Sequence, residues 1–184
     1  MQVYDSLNLE VASLLQAGSV GVIPTDTLYG LVCQLANQAA VERIYDIKQR
    51  AHTKPIGTIL IADPVQLEDS VSPHELLAAQ VYWPGPVSVL LTVNTKFSYA
   101  HRGKMSLPFR IPNEANLRNL IMRTGPLATT SANIAGELPA TTVQEAMGIF
   151  RQNVDFYVDG GDLSSNKPSK IIEIKHGDVQ IIRE

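Results

Sequence analysis

Apolar positions recur along this chain at helical spacing in some segments and as short runs in others, and the two rhythms alternate. Leu7, Val11, Leu14 and Leu15 mark a first helix, with Gly18 as its stop. Ser19 to Ile23 reads as a buried strand cut by Pro24, and Val41, Ile44, Tyr45 and Ile47 form the inward face of a second helix. Gly57 to Ala62 is an apolar strand with Thr58 in it, the pattern of a strand covered on both faces. Ser72-Pro73-His74-Glu75 is a capping box with proline at the first helical position, so a helix starts there and runs to about Val81. Trp83-Pro84-Gly85-Pro86 makes a rigid turn in which the prolines fix φ and the glycine lets another backbone come close. Val87 to Val93 is the next strand.

The polar stretch from Asn94 to Met105 carries Lys96, Arg102 and Lys104 and reads as a mobile loop. Leu107 to Ile111 is a short strand holding Arg110 between apolar neighbours, a charge that must find an anion or carboxylate, or point to solvent. Leu117, Leu120 and Ile121 give a helix ended at Gly125, and Pro126 to Thr130 is a strand running into Ser131-Ala132-Asn133. Thr142-Val143-Gln144-Glu145 is a second capping box, opening a helix to about Phe150. Phe156 to Val158 precedes the turn Asp159-Gly160-Gly161, and Ile171 to Ile174 with Val179 to Ile182 flank Lys175-His176-Gly177-Asp178 as a hairpin. Helices and strands alternate without strict order and the tail is β-rich. This predicts an α/β fold, one twisted mixed sheet with flanking helices, as a single domain over residues 1–184. Strand order stays open.

Composition narrows the class. A chain of 184 residues, 45% hydrophobic and 18% charged, is expected to be one soluble globular domain. Net charge is −3, so any surface for nucleic acid must be local. Cys33 is the sole cysteine, which excludes an internal disulfide, fits a reducing compartment and suits a core position better than a nucleophile. There is no basic n-region, no Arg-rich presequence and no apolar run able to span a bilayer, so a cytoplasmic protein without membrane contact is expected.

Positive charge begins late: Arg43 is the first basic residue, and Lys48, Arg50 and Lys54 then fall within seven positions at the end of a helix. A guanidinium fork beside mobile ammonium groups suits an anion with several oxygens. A solvated helix end favoured by the macrodipole accounts for one or two of these charges as well. Pro24-Thr25-Asp26-Thr27-Leu28-Tyr29-Gly30 places hydroxyls and a carboxylate directly after a strand, where open α/β sheets bind ligands, although Thr25 and Asp26 also suit a cap. No P-loop, Gly-x-Gly-x-x-Gly fingerprint or Gly-x-Ser-x-Gly elbow occurs, and His52, His74, His101 and His176 lack zinc-ligand spacing. What remains is Thr25, Thr27, Ser131 and Asn133 with Lys48, Arg50, Lys54 and Arg110. Such a set binds and orients charged substrates, and phosphoryl or nucleotidyl transfer asks for little more.

Pro-Thr-Asp-Thr-x-Tyr-Gly-Leu, Lys-Gln-Arg with Lys54-Pro55 behind it, Trp-Pro-Gly-Pro, Arg110-Ile-Pro, Thr-Ser-Ala-Asn-x-x-Gly and the late Pro168-Ser169 resemble the TsaC/YrdC family. The motifs stand in family order from about residue 8 to the C-terminus. The resemblance implies a twisted α/β sheet with a positively charged concave cavity. It implies synthesis of threonylcarbamoyl-adenylate from L-threonine, bicarbonate and ATP with release of pyrophosphate. Mg2+ would be held mainly by the ATP phosphates. The product would serve threonylcarbamoyladenosine modification of tRNA, with partner proteins completing the transfer and direct tRNA contact left open. By position it places L-threonine near Thr27, Thr129 and Ser169, and the nucleotide against Lys48, Arg50, Lys54, Ser106, Arg110, Ser131, Asn133 and Arg183. Lys48, Arg50 and Lys54 carry the main weight in catalysis.

Asp26 stands where the family often has Glu, Ala51 where proline often follows the Arg, and Ser106 where Thr is common; Lys170 follows Ser169 where longer relatives show Thr. The length matches the short form of the family, without the extra C-terminal domain of longer relatives. Two other readings compete. One is a non-catalytic RNA-binding module using the same basic cavity, against which stand the negative net charge and the lack of an aromatic-interleaved basic stripe. The other is a carbamoyl-adenylate enzyme with a different acceptor, like the similar domain of hydrogenase maturation proteins.

Overall fold

A computed structural model describes residues 2–175 and 177–184. In chain order the elements are β1 (Gln2–Tyr4), α1 (Leu9–Gln16), β2 (Gly21–Ile23), β3 (Gly30–Gln34), α2 (Gln38–Lys48), β4 (Thr58–Leu60), α3 (Pro73–Gln80) and β5 (Val87–Thr92). Then follow α4 (Ser98–His101), β6 (Ser106–Arg110), α5 (Ala115–Thr124), β7 (Leu127–Ser131), α6 (Val143–Phe150), β8 (Phe156–Val158), β9 (Lys170–Lys175) and β10 (Asp178–Arg183). Among the described residues, all ten strands join one mixed sheet in the order β1-β8-β2-β3-β7-β4-β6-β5-β9-β10. Strands β4 and β6 run parallel, while β7 and β5 lie antiparallel to them on either side. No helix among the described residues is long and apolar enough to cross a membrane.

Neighbouring residues of one strand enter opposite cores, the consequence of a two-residue period. Ile59 and Ile61 join a large cluster with Ile44, Tyr45, Leu76 and Phe150, whereas Leu60 joins Val11, Leu15, Leu117 and Ile121. The continuous apolar run over Gly57–Ala62 is thus explained: helices pack on both faces. On the second face, α1 and α5 cover Val32, Leu60 and Leu127. Two positions along the same strands stand Gly30, Thr58 and Thr129, which line a cavity instead. There the helices stop, and small or hydroxyl residues form an open floor.

The structure departs from sequence expectation in three respects. Asn94–Met105 is organised: a 3-10 turn over Thr95–Phe97 capped by Asn94 leads into α4, with Phe97, Ala100 and His101 buried. Ile56 N–H donates to Ala100 O at 2.9 Å, so this segment is anchored to the core through the backbone. Four helical residues are too few to show a 3.6-residue rhythm. Strands β1 and β3 arise where no strand was expected, short pieces selected by pairing with β8 and β7. Ser72 and Thr142 do cap α3 and α6, but Glu75 Oε1 accepts from Thr92 N–H and Glu145 Oε2 from Thr141 N–H instead of closing the box. The closed box sits at Asp63–Gln66, ahead of a 3-10 turn. The β9–β10 hairpin forms as expected, with its His176 outside the described residues. Cys33 is fully buried and burial pushes its thiol pKa up, which makes it a core residue.

Candidate active site

The open part of the sheet floors a cavity of about 540 Å³, walled by the β2–β3 loop, the α2–β4 loop, the end of β7 and the β9–β10 hairpin. Gly30 and Gly57 keep its floor low: a Cβ on Gly30 would lie 2.6 Å from Thr129 Oγ1, and one on Gly57 2.4 Å from Thr129 O.

One corner is built on the turn after β2. Thr25 Oγ1 donates to Leu28 O at 2.7 Å and accepts Thr27 N–H at 3.1 Å. With its single proton so used, its 3.0 Å contact to Thr27 Oγ1 makes Thr27 the donor. Thr27 Oγ1 in turn accepts from Arg110 Nη2 at 3.4 Å, so its hydroxyl is oriented from two sides. Arg110, 3% exposed, pairs through Nη1 with the Asp26 carboxylate, whose other oxygen accepts Asn113 N–H at 2.8 Å. The lone Arg of the apolar β6 has found its carboxylate, 84 residues upstream.

The opposite corner joins the end of α2 to the end of β7. Gln49 adopts a left-handed conformation (φ 52°) and ends the helix there, with Arg50 N–H returning to Tyr45 O at 2.9 Å. Arg50 emerges at the cavity wall, where its Nη2 donates to Pro55 O at 2.9 Å and its Nε has no partner among the described residues. Lys48, still on the helix, is turned into the protein. Its Nζ donates to Ser131 O at 2.7 Å, Asn133 O at 2.9 Å and Asn133 Oδ1 at 2.6 Å. Burial and the adjacent Arg50 pull its pKa down to about 8.

The third wall comes from the hairpin. Arg183 Nη2 donates to Ser169 O at 2.8 Å and lies 3.3 Å from Ser169 Oγ, which begins a buried hydroxyl chain to Ser88 (3.1 Å) and on to Thr58 (3.2 Å). Arg183 has its pKa lowered by burial and then by the Arg110 cation across the cavity.

Thr27, Arg50, Arg110, Thr129, Ser131, Asn133, Ser169 and Arg183 therefore line one space. Lys48 stands behind its wall. Lys54 is exposed, and its backbone carbonyl accepts from Tyr45 Oη at 2.8 Å. Ser106, half-buried at the start of β6 opposite Thr92, stands apart from the lining. Thr58, Ser88, Thr130 and Glu137 were not singled out as site residues. For Thr58 and Ser88 the available signal was a lone hydroxyl inside an apolar strand, which must find a polar partner.

The wall thus offers three guanidinium residues, Arg50, Arg110 and Arg183, beside hydroxyls, an amide and Glu137. Guanidinium donors of this kind can pair with an anion that has several oxygens, and the hydroxyls can hydrogen-bond a polar molecule beside it. The model of the Sua5/YciO/YrdC family, described as "Telomere recombination", matches residues 13–184, and the chain belongs to that family. A Marinobacter nauticus protein named threonylcarbamoyl-AMP synthase is 37% identical over 172 residues, covering 88% of this chain and 87% of the relative. P. abyssi Sua5 complexed with L-threonine superposes over 100% of this chain with a TM-score of 0.88 and 25% identity, and this chain spans 57% of its length. E. coli YciO, at 22% identity and a TM-score of 0.83 over 100% of this chain and 93% of its own, shares the fold.

Proposed function

We propose that this protein is a threonylcarbamoyl-AMP synthase, making the adenylate and pyrophosphate from L-threonine, bicarbonate and ATP. The observation that carries the reading is the meeting in one cavity of an oriented threonine hydroxyl, Thr27, with Arg50, Arg110 and Arg183. It is supported by the name of the Marinobacter relative and by the L-threonine complex of P. abyssi Sua5.

Bicarbonate takes up a proton and loses water to give CO2, and the amine of L-threonine adds to that carbon, releasing a proton and giving a carbamate. A carbamate oxygen attacks the α-phosphorus in line, the bond to the β-phosphate oxygen breaks, and pyrophosphate leaves. No protein nucleophile is needed, so the protein's part is orientation and charge stabilisation. Thr27, whose proton points to Thr25, offers its remaining lone pair to the amine, with Thr129 and Ser169 completing the amino-acid side. Arg50 and Arg183 face the phosphates from two walls, and Arg110, Ser131 and Asn133 complete the nucleotide side. Lys54 and Ser106 join from the periphery. Mg2+ would arrive on the triphosphate, since the wall is rich in donors for phosphate oxygens. When bound, it neutralises charge on the leaving pyrophosphate. The product then passes to partner proteins for transfer to tRNA, in the cytoplasm.

The test is pyrophosphate release from ATP and Mg2+ with L-threonine and bicarbonate each present or omitted. Release requiring both is expected. Release indifferent to threonine points to another acceptor, and RNA binding that falls steeply with salt, without ATP turnover, points to an RNA module.

A further inference from the structure

We propose that Lys48 serves the reaction as a positioning residue, acting through Asn133 and Ser131, and not as a ligand of the triphosphate. The inference rests on the reading of the cavity as an ATP site. Lys48 is 3% exposed and its ammonium has three protons. Three oxygens at 2.6–2.9 Å take them all: Ser131 O, Asn133 O and Asn133 Oδ1. The fourth neighbour, Ser131 Oγ, stands off at 3.4 Å. Nothing is left to reach a phosphate.

Those bonds set the polarity of the corner. Asn133 Nδ2 donates to Glu137 O at 2.6 Å while Oδ1 faces the ammonium. The reverse orientation would oppose an NH2 group to a cation and an oxygen to a carbonyl, so the amide has one setting. Ser131 Oγ then spends its single proton on Asn133 Oδ1 at 2.7 Å. What Ser131 shows to the cavity is lone pairs. Phosphate oxygens accept, whereas ribose hydroxyls and the adenine amine donate. Ser131 thereby reads the nucleoside, and the phosphates fall to the guanidinium groups on the facing walls.

The experiment compares affinities for ATP, adenosine and inorganic tripolyphosphate in the wild type, Lys48→Met, Asn133→Ala and the double variant. Lys48→Met is expected to weaken ATP and adenosine about tenfold, the worth of one well-made hydrogen bond, and to leave tripolyphosphate within about twofold. Asn133→Ala should do the same, and the double variant no more than either single one. Tripolyphosphate weakened as much as ATP would place Lys48 on the phosphates and overturn the proposal. So would unchanged adenosine affinity, which would leave Lys48 a merely structural residue. If Lys48→Met does not fold, Ser131→Ala carries the test, with adenosine weakened and tripolyphosphate spared as the supporting result. Wild-type turnover that ignores threonine overturns the proposed acceptor alone, because these affinities are read without it.

Discussion

Arg110 and Lys48 are equally buried, each 3% exposed, yet they are held in opposite ways. Arg110 meets a carboxylate, Asp26, with Thr27 and Asn113 completing the cluster. Lys48 meets neutral oxygens, two backbone carbonyls and one amide. Coulomb attraction offsets the desolvation of a buried pair, and removal of one member strands the other. A cation held by dipoles alone keeps its charge at greater cost, and its pKa falls accordingly. Equal burial thus gives one corner that matters chiefly for stability and another governed by protonation.

The contrast breaks most visibly at Asp26. Asp26→Ala leaves Arg110 buried and unpaired and is expected to cost about 3–5 kcal/mol in urea unfolding, with loss of L-threonine binding. A cost under about 1 kcal/mol would show that the pair contributes little to the fold. Arg50→Ala should do the reverse: pyrophosphate release about a hundredfold lower, and stability within about 0.5 kcal/mol.

The Lys48 corner is sharpened by pH. Its folded pKa, about 8, lies below the ordinary 10.5, so between those values the unfolded chain binds more protons. Its contribution to stability therefore rises with pH across that window. Function should move the other way, because the neutral amine donates too few protons to orient both Ser131 and Asn133. ATP affinity is expected to fall as pH passes about 8 in the wild type and to stay flat in Lys48→Met. An equal fall in both would assign the titration to another group. The smallest effect belongs to Lys54→Ala. As an exposed charge, Lys54 should alter ATP binding by about 1 kcal/mol or less, a difference that added salt removes. A loss as large as that of Arg50→Ala would mean the α2–β4 loop closes inward on ATP.

Much of this was legible in the chain itself. Gly57–Ala62 announced a strand covered on both faces, Ser72 and Thr142 announced helix starts, and Arg110 announced a partner. Its identity, Asp26, was not legible, because 84 residues separate the two and no local rhythm records such a distance. Strands β1 and β3 were equally silent, being defined by what they pair with.

By itself the sequence determined the local elements, through hydrophobic period, caps and proline or glycine stops, and it ordered the motifs that mark the family. Only the tertiary structure decided the strand order and left part of one sheet face bare. It also separated Lys48 from Arg50, two positions apart in the chain. The left-handed turn at Gln49 sends Arg50 to the cavity wall while Lys48 stays on the helix, against β7. The physical reason is range. Helical period and capping act over a few residues, whereas a buried ammonium or guanidinium is satisfied by whatever oxygens the packed sheet brings beside it.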